Sequence, residues 1–551
     1  MKPTKIIEFK IEGMTCNGCA TTISRLLERD GVLQKEVRYP EGRARLVIDP
    51  NQVTPESLAE VINQTGHYRV VDIREDEGET GVSPNGAFHL IVVGGGSAAF
   101  AAAIRAEELG ATVTMINKGL PIGGTCVNVG CVPSKNLIRA AEAFHCANHP
   151  RFPGIEARAT LTSFKTVIEQ KRQLVSSLRQ QKYIDVLERH PNIRFVEGYG
   201  KIVDSRTVDV EGQTITGDAI LIATGARPNV PPIPGLDTVD YLTNETAFEL
   251  ESLPKSMVVI GGRYVALETA QMFARFGVHV TILQRSDRVL PTEHVDVTDA
   301  ITHYLEEEGI AIHTGVRIHQ VEKGPNSVTI TFEKQGTRQT LTAEKILVAT
   351  GRRPNTDGMG LETVGVQLKD NGAIQVDDTL QTTVPGIYAA GDVLGENMFV
   401  YTAAYEGKLA AENAITGAGK RRDYSALPWV IFTDPQVAGV GLDELQAREQ
   451  GIDVDTATLP LSEVPRALAA RDTRGFIKLI RDRQSDVLVG ARIVAPEGSE
   501  LLMEVAMAIK YNILVESLKD MFHPYLTLSE GIKLAAITFT KDVHELSCCA
   551  T

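Results

Sequence analysis

A chain of 551 residues is too long for a single core and divides into several domains. Its formal net charge of −14 excludes the basic face that a nucleic-acid binder needs, and an ordinary composition with 48 glycines describes a globular protein with room for Gly-rich turns. The first residues, Met-Lys-Pro-Thr-Lys-Ile-Ile-Glu, lack a secretory h-region, and the longest apolar run, 90–104, is too short and too Gly-rich to span a bilayer, so a cytoplasmic protein without membrane insertion is expected.

Residues 1–74 read in the order βαββαβ, the ferredoxin-like pattern. A strand is predicted over 5–13, and a helix over 19–29 with Ile23, Leu26 and Leu27 on one side. A hairpin turns at Pro40-Glu41-Gly42-Arg43, a helix capped by Thr54 covers 55–64, and a strand closes at 67–73. Cys16 and Cys19 stand in Gly-Met-Thr-Cys-Asn-Gly-Cys, and a thiolate pair is a ligand set for a soft cation. A redox Cys-x-x-Cys is disfavoured, because no thioredoxin-like βαβ surrounds it. Residues 75–87 are acidic, contain Gly and Pro, and read as a linker.

From residue 88 the chain echoes itself. A buried strand over 90–93 runs into Gly94-Gly95-Gly96-Ser97-Ala98-Ala99, and Leu-Ile-Ala-Thr-Gly follows, ending in Thr224 and Gly225. A second strand over 257–260 runs into Gly261-Gly262-Arg263-Tyr264, and Leu-Val-Ala-Thr-Gly follows at 347–351. Glycines in such a turn let the backbone approach a pyrophosphate at a helix N-terminus, so two Rossmann-like dinucleotide-binding units are expected. They cover 88–228 with 354–427, and 229–353. In the first unit Asn117 stands where an acid for the ribose is usual. In the second, the strand over 279–283 ends in Gln284-Arg285, with Arg288 nearby, which suits a 2′-phosphate and favours NADPH over NADH. The alternative leaves both arginines on a solvated surface.

Cys126 and Cys131 lie in Gly-Gly-Thr-Cys-Val-Asn-Val-Gly-Cys-Val-Pro-Ser-Lys, ahead of a helix predicted over 131–144. A helix N-terminus and Lys135 are expected to lower both thiol pKa values. Cys146 is unpaired in sequence and expected to be a buried helical residue. Cys548 and Cys549 are adjacent near the end of the chain; a vicinal disulfide is strained, so this pair favours the dithiol or a metal complex.

The motif around Cys126 and Cys131, with Ala-Thr-Gly-Arg-Arg-Pro-Asn at 349–355 and Tyr-Ala-Ala-Gly-Asp at 388–392, resembles the flavin-dependent pyridine nucleotide–disulfide oxidoreductases. The resemblance covers 88–551 and implies an α+β dimerisation domain over 428–551 and a homodimer. It implies FAD on the first unit, held by Gly94, Gly96, Ala99, Gly119, Thr125, Lys135, Gly200, Thr224, Gly225, Asp392 and Val400. NADPH is implied on the second, at Gly261, Arg285 and Arg288. Tyr264 would shield the flavin until the nicotinamide displaces it. Cys131 would be the flavin-proximal thiolate and Cys126 the outer thiol.

Disulfide-reducing members of that family carry a terminal His-x-x-x-x-Glu base. Counting back from Glu530 places Tyr525 at the His position, with His523 out of register by two. A phenol is a poor proton shuttle at neutral pH. Tyr525 and the ending Leu-Ser-Cys-Cys resemble the mercury(II)-reducing branch of the family, and residues 1–74 resemble heavy-metal-associated domains. These likenesses imply Hg(II) as substrate, arriving as a thiolate complex, with Cys16, Cys19, Cys126, Cys131, Cys548 and Cys549 as its ligands and the C-terminal pair serving the partner subunit. The alternatives are a reductase of the lipoamide or glutathione type, and a metal-binding chaperone with a vestigial flavin core.

Overall fold

The computed structural model describes residues 5–15, 17–39, 42–76 and 86–545; Cys16, Cys548, Cys549 and most of the expected linker lie outside the described residues. The N-terminal unit is the expected ferredoxin-like sandwich. Strands Lys5–Glu12, Val32–Arg38, Arg43–Ile48 and Arg69–Asp76 form one antiparallel sheet in the order second, third, first, fourth. Ile7, Phe9 and Ile11 alternate inward from the first strand, as period two demands, and meet Ile23, Leu58 and Ile62 of helices Asn17–Leu26 and Pro55–Asn63, with Leu27 just past the first helix. Thr54 caps the second helix by accepting the Ser57 amide at 3.3 Å.

The first dinucleotide unit is a parallel sheet of five strands, in spatial order Ile387–Ala389, Ala219–Ile222, His89–Val93, Thr112–Asn117 and Ile193–Glu197. Both faces of the central strand are covered, so Leu90 to Val93 is a continuous apolar run rather than an alternating one. Helix Ser97–Glu108 packs so closely on helix Val400–Thr416 that a Cβ on Gly407 would lie 2.1 Å from the Ala98 carbonyl oxygen.

The second unit repeats the arrangement with four parallel strands, Ala311–His313, His279–Leu283, Ser256–Ile260 and Lys345–Val348. It is inserted into the first. The two crossings between them run side by side as the antiparallel pair Ala226–Pro228 and Arg352–Pro354. Each unit also carries a three-stranded antiparallel sheet, Gly200–Ile202 with Thr207–Val210 and Gln213–Thr216, and Val316–Lys323 with Val328–Lys334 and Thr337–Ala343. Neither was expected from the sequence: the strands of the first are only three or four residues long, and those of the second are largely polar on one face.

The C-terminal unit is the expected α+β domain. Five antiparallel strands run in the order Pro428–Ile431, Gln436–Gly441, Leu488–Ala495, Phe476–Asp482 and Val454–Pro460, with helices Gly498–Lys510, Val515–Asp520 and Glu530–Ile537. No helix among the described residues is long and apolar enough to cross a membrane.

Candidate functional site

A cavity of about 810 Å³ runs from the first Gly-rich turn to the Cys126–Cys131 turn. At its head, Gly94 has φ +143°, and a Cβ there would lie 2.2 Å from the Ala223 carbonyl oxygen. Gly261 repeats the constraint in the second unit, with φ +124° and 2.3 Å to the Ala349 oxygen. The sequence echo thus has a steric origin: each Gly-rich turn presses against the Ala of its own Ala-Thr-Gly segment. Asn117, standing in for the acid, donates to the Leu120 carbonyl at 3.0 Å and lines the cavity beside Gly95.

The Cys126–Cys131 turn is built by two helices rather than one. Cys126 lies in the short helix Gly124–Asn128, and Cys131 is the first residue of helix Cys131–Asn148, which runs further than expected. Asn128 holds the turn together. Its buried amide donates to the carbonyls of Pro121, Ile122 and Gly124 at 3.0, 3.1 and 2.8 Å, and its oxygen accepts from Arg179 at 3.0 Å. We expect Asn128→Ala to cost about 2–4 kcal/mol, the worth of several buried hydrogen bonds, read as a drop in the denaturant midpoint.

The two thiols differ, which corrects the expectation that both are acidified. A hydrogen bond from Cys126 is the largest influence on Cys131 and, aided by the Lys135 charge against the opposing effect of burial, brings its pKa down to about 7. The same hydrogen bond, with burial, pushes Cys126 well above the ordinary thiol range. Two close sulfurs share one proton, and the inner one is the thiolate. In the reduced protein, ultraviolet thiolate absorbance is therefore expected to appear as pH rises through about 7, to vanish below it, and to move upward in pH in Cys126→Ala.

Lys135 is held for that role. Its ammonium lies 2.7 Å from Glu268 Oε2 and 4.6 Å from the centre of the Phe432 ring, and Glu268 Oε1 accepts the Phe432 amide at 2.9 Å. On the other wall, Arg352 donates to Thr125 Oγ1 at 3.2 Å and to the Ala226 carbonyl, and lies 3.6 Å from Asp392. Burial raises the Asp392 pKa, with Arg352 opposing. The buried Arg352 Nε lacks a hydrogen-bond partner. A polar atom left in this way at a cavity lined by glycine backbone fits a bound dinucleotide.

Of the residues expected to hold FAD, Gly94, Gly96, Gly119, Thr125, Lys135, Gly200, Thr224, Gly225, Asp392 and Val400 line the cavity, together with Cys126, Cys131 and Tyr264. Ala99 does not: it is fully buried in the core, packed inside its helix. Gly261 follows strand Ser256–Ile260 and does not line the cavity; Arg285 is exposed and Arg288 half-buried in the segment after strand His279–Leu283. Neither arginine forms an ion pair among the described residues, so both charges are open to an anion. Tyr525, 52% exposed, precedes helix Glu530–Ile537 and does not line this cavity. The out-of-register His523 is committed elsewhere, 2.6 Å from Glu504. Cys19 lies in the first turn of helix Asn17–Leu26, its sulfur accepting from the Thr15 amide at 3.5 Å. Cys146 is exposed, not buried, because its position on helix Cys131–Asn148 turns away from the apolar seam through Leu137 and Ala141.

Tyr183 was not singled out from the sequence. A π-helical turn, Gln180–Ile184, interrupts the helical run that starts at Phe164 and rotates the Tyr183 ring onto Phe100, with centroids 4.9 Å apart, and against Gly123. Burial raises its phenol pKa, while a hydrogen bond with Ser97 opposes. A π-turn leaves no mark in residue periodicity, so nothing local could have pointed to it.

A similar geometry is known elsewhere. The family model "Pyridine nucleotide-disulphide oxidoreductase" matches residues 88–407, its dimerisation domain matches 427–536, and the heavy-metal-associated domain matches 8–67. The mercuric reductase of Staphylococcus aureus is 42% identical over 98% of this chain and 99% of that protein. That of Streptomyces lividans is 45% identical over 84% of this chain and 98% of its own length. Among solved structures, the HOCl-induced flavoprotein disulfide reductase RclA from Escherichia coli, as a Cu(II) complex, is 30% identical with a TM-score of 0.73, covering 83% of this chain and 100% of that one. LpdA from Mycobacterium tuberculosis is 27% identical with a TM-score of 0.74 over the same shares. With a dithiol turn beside a dinucleotide cavity, a twin nucleotide unit and matches of this extent, the chain belongs to the pyridine nucleotide-disulphide oxidoreductase family, with a heavy-metal-associated domain at its N-terminus.

Proposed function

We propose that this protein uses NADPH to reduce Hg(II) to elemental mercury, through FAD and the Cys126–Cys131 pair, and so detoxifies mercury. One observation carries the reading: a dithiol with its inner member ionised near neutrality faces a dinucleotide-sized cavity, and Tyr525 stands in the C-terminal segment where disulfide-reducing members carry their histidine base. Reducing a disulfide needs a base to manage the product thiols; reducing a metal ion does not. The full-length likeness to mercuric reductases agrees.

FAD, when bound, supplies the two-electron relay between nicotinamide and dithiol. Gly94, Gly96, Gly119, Thr125, Gly200, Thr224, Gly225, Asp392 and Val400 would hold it, and Arg285 and Arg288 would hold the NADPH 2′-phosphate. Cys126 and Cys131 take Hg(II) as a dithiolate, soft ligands for a soft ion. Displacing two outside thiolates by this pair releases one proton, because Cys131 is already ionised and Cys126 is not. Lys135 stabilises the Cys131 charge, and Tyr183 lies against the turn that presents Cys126. The overall change is NADPH + Hg(II) → NADP⁺ + H⁺ + Hg(0).

The protein works as a cytoplasmic homodimer. The dimerisation-domain match and the exposed apolar side chains of Met503, Met507, Tyr511 and Phe522 in the C-terminal unit support a second copy covering that face. Cys16 and Cys19 collect the ion, and Cys548 and Cys549 pass it to the partner subunit's dithiol, where Tyr525 steadies it.

The test is an anaerobic assay with NADPH, Hg(II) and excess thiol. One NADP⁺ per elemental mercury is expected, and a C548A/C549A variant is expected to keep its flavin but lose turnover of thiol-bound Hg(II). Oxidation of NADPH by lipoamide or glutathione disulfide, but not by Hg(II), would replace this reading with the disulfide reductase.

A further inference from the structure

We infer that Trp429 clamps Tyr264 in the position that closes the cavity, and so sets how readily a pyridine nucleotide enters. The inference rests on the proposed reading of Tyr264 as the residue that the nicotinamide displaces.

Tyr264 opens helix Tyr264–Arg275 and lines the cavity. Its ring stands in an aromatic column. Trp429 stacks on it with centroids 5.9 Å apart and planes at 18°; Phe399 stacks at 6.2 Å and 20°; Tyr401 stacks on Phe399 at 5.4 Å and 5°. All three C-terminal units contribute: Trp429 from strand Pro428–Ile431, Tyr264 from the inserted nucleotide unit, and Phe399 and Tyr401 from the start of helix Val400–Thr416.

Trp429, the only tryptophan in the chain, does not line the cavity but stacks on Tyr264, which does. It is held hard from behind. Gly439, its cross-strand partner, leaves room for the indole, since a Cβ there would lie 2.4 Å from Cζ2. The Arg492 guanidinium sits 5.4 Å from the indole centre, and Arg492, 1% exposed, donates to Glu293 at 2.6 Å. At the far end the Tyr401 hydroxyl donates to the Pro428 carbonyl at 2.5 Å. The two ends are fixed, and of the two inner rings Tyr264 is the one that the proposed reading has the nicotinamide displace.

A nicotinamide that displaces Tyr264 breaks its stacking on Trp429. The apparent dissociation constant equals the intrinsic one divided by the fraction of open protein. Removing the indole therefore tightens binding, by about two- to twelvefold if one aromatic pair is lost. Trp429 is a positioning residue in this scheme, and phenylalanine in its place keeps the stack.

The experiment is calorimetric titration of the oxidised holoenzyme with NADP⁺, which needs no turnover. Trp429→Leu with its full complement of flavin is expected to bind about two- to twelvefold tighter than wild type, and Trp429→Phe to stay within about twofold, as a retained pair requires. Unchanged or weaker binding by flavin-replete Trp429→Leu overturns the clamp. If that variant does not fold, wild-type tryptophan emission decides: a saturable change at the calorimetric dissociation constant supports the clamp, and emission indifferent to saturating NADP⁺ overturns it. Absence of NADP⁺ binding by the wild type would instead count against the proposed function.

Discussion

Cys126→Ser and Cys131→Ser are each expected to abolish Hg(II)-dependent NADPH oxidation while the flavin stays bound. Both sulfurs line the cavity beside the cofactor groove rather than supporting its walls. Serine keeps the size and the hydrogen bond, but its hydroxyl is a hard, neutral ligand that does not hold a soft ion. Loss of a partner behind a metal ligand alone costs about 10- to 100-fold, so loss of a ligand itself is expected to exceed about 100-fold. The two variants separate on a second reading. Cys126→Ser keeps a donor to the inner sulfur, so its thiolate still forms near neutral pH, whereas Cys131→Ser removes that thiolate. Steady-state NADPH oxidation with the flavin spectrum, followed by a pH titration of thiolate absorbance, checks both. Unchanged production of elemental mercury by either variant would falsify the assignment.

Gly94→Ala is expected to yield a colourless, destabilised protein. The added Cβ meets the Ala223 carbonyl oxygen at 2.2 Å, and φ +143° is a conformation L-residues rarely adopt. Backbone strain and overpacking together cost about 2–5 kcal/mol. Relief moves either the Gly-rich turn or the Ala223–Gly225 segment, and both line the cofactor cavity. Gly110→Ala is the control, because its φ of +83° is matched by open space within 4 Å. It pays the conformational cost alone and keeps its flavin. Gly261→Ala, with its contact to the Ala349 oxygen in the second unit, is expected to weaken NADPH binding and leave the flavin in place. Flavin content, thermal unfolding and NADP⁺ titration distinguish the three.

The contrast between these positions shows what was legible. Gly94 and Gly261 announce themselves in sequence because a close backbone approach admits no side chain, and the requirement recurs wherever the motif does. Cys126 and Cys131 are legible for the same reason of local chemistry. Asn128, which ties the redox turn, stands inside the quoted motif, yet its three carbonyl partners come from backbone whose path only the folded loop defines. Cys146 shows the reverse case: a lone cysteine in a helix is ordinarily buried, and the face it occupies follows from which side of helix Cys131–Asn148 meets its neighbours.

Taken alone, the sequence determined the order of the units, the two nucleotide turns, the dithiol and its neighbouring lysine, and the fold class, because each depends on residues close together in the chain. Tertiary structure decided the unequal acidity of the two thiols, the Lys135–Glu268 pair, the place of Tyr183 and the aromatic column through Tyr264. The last three join residues dozens to hundreds of positions apart, and the first turns on burial and a shared proton; these act through space, where spacing along a chain carries no information.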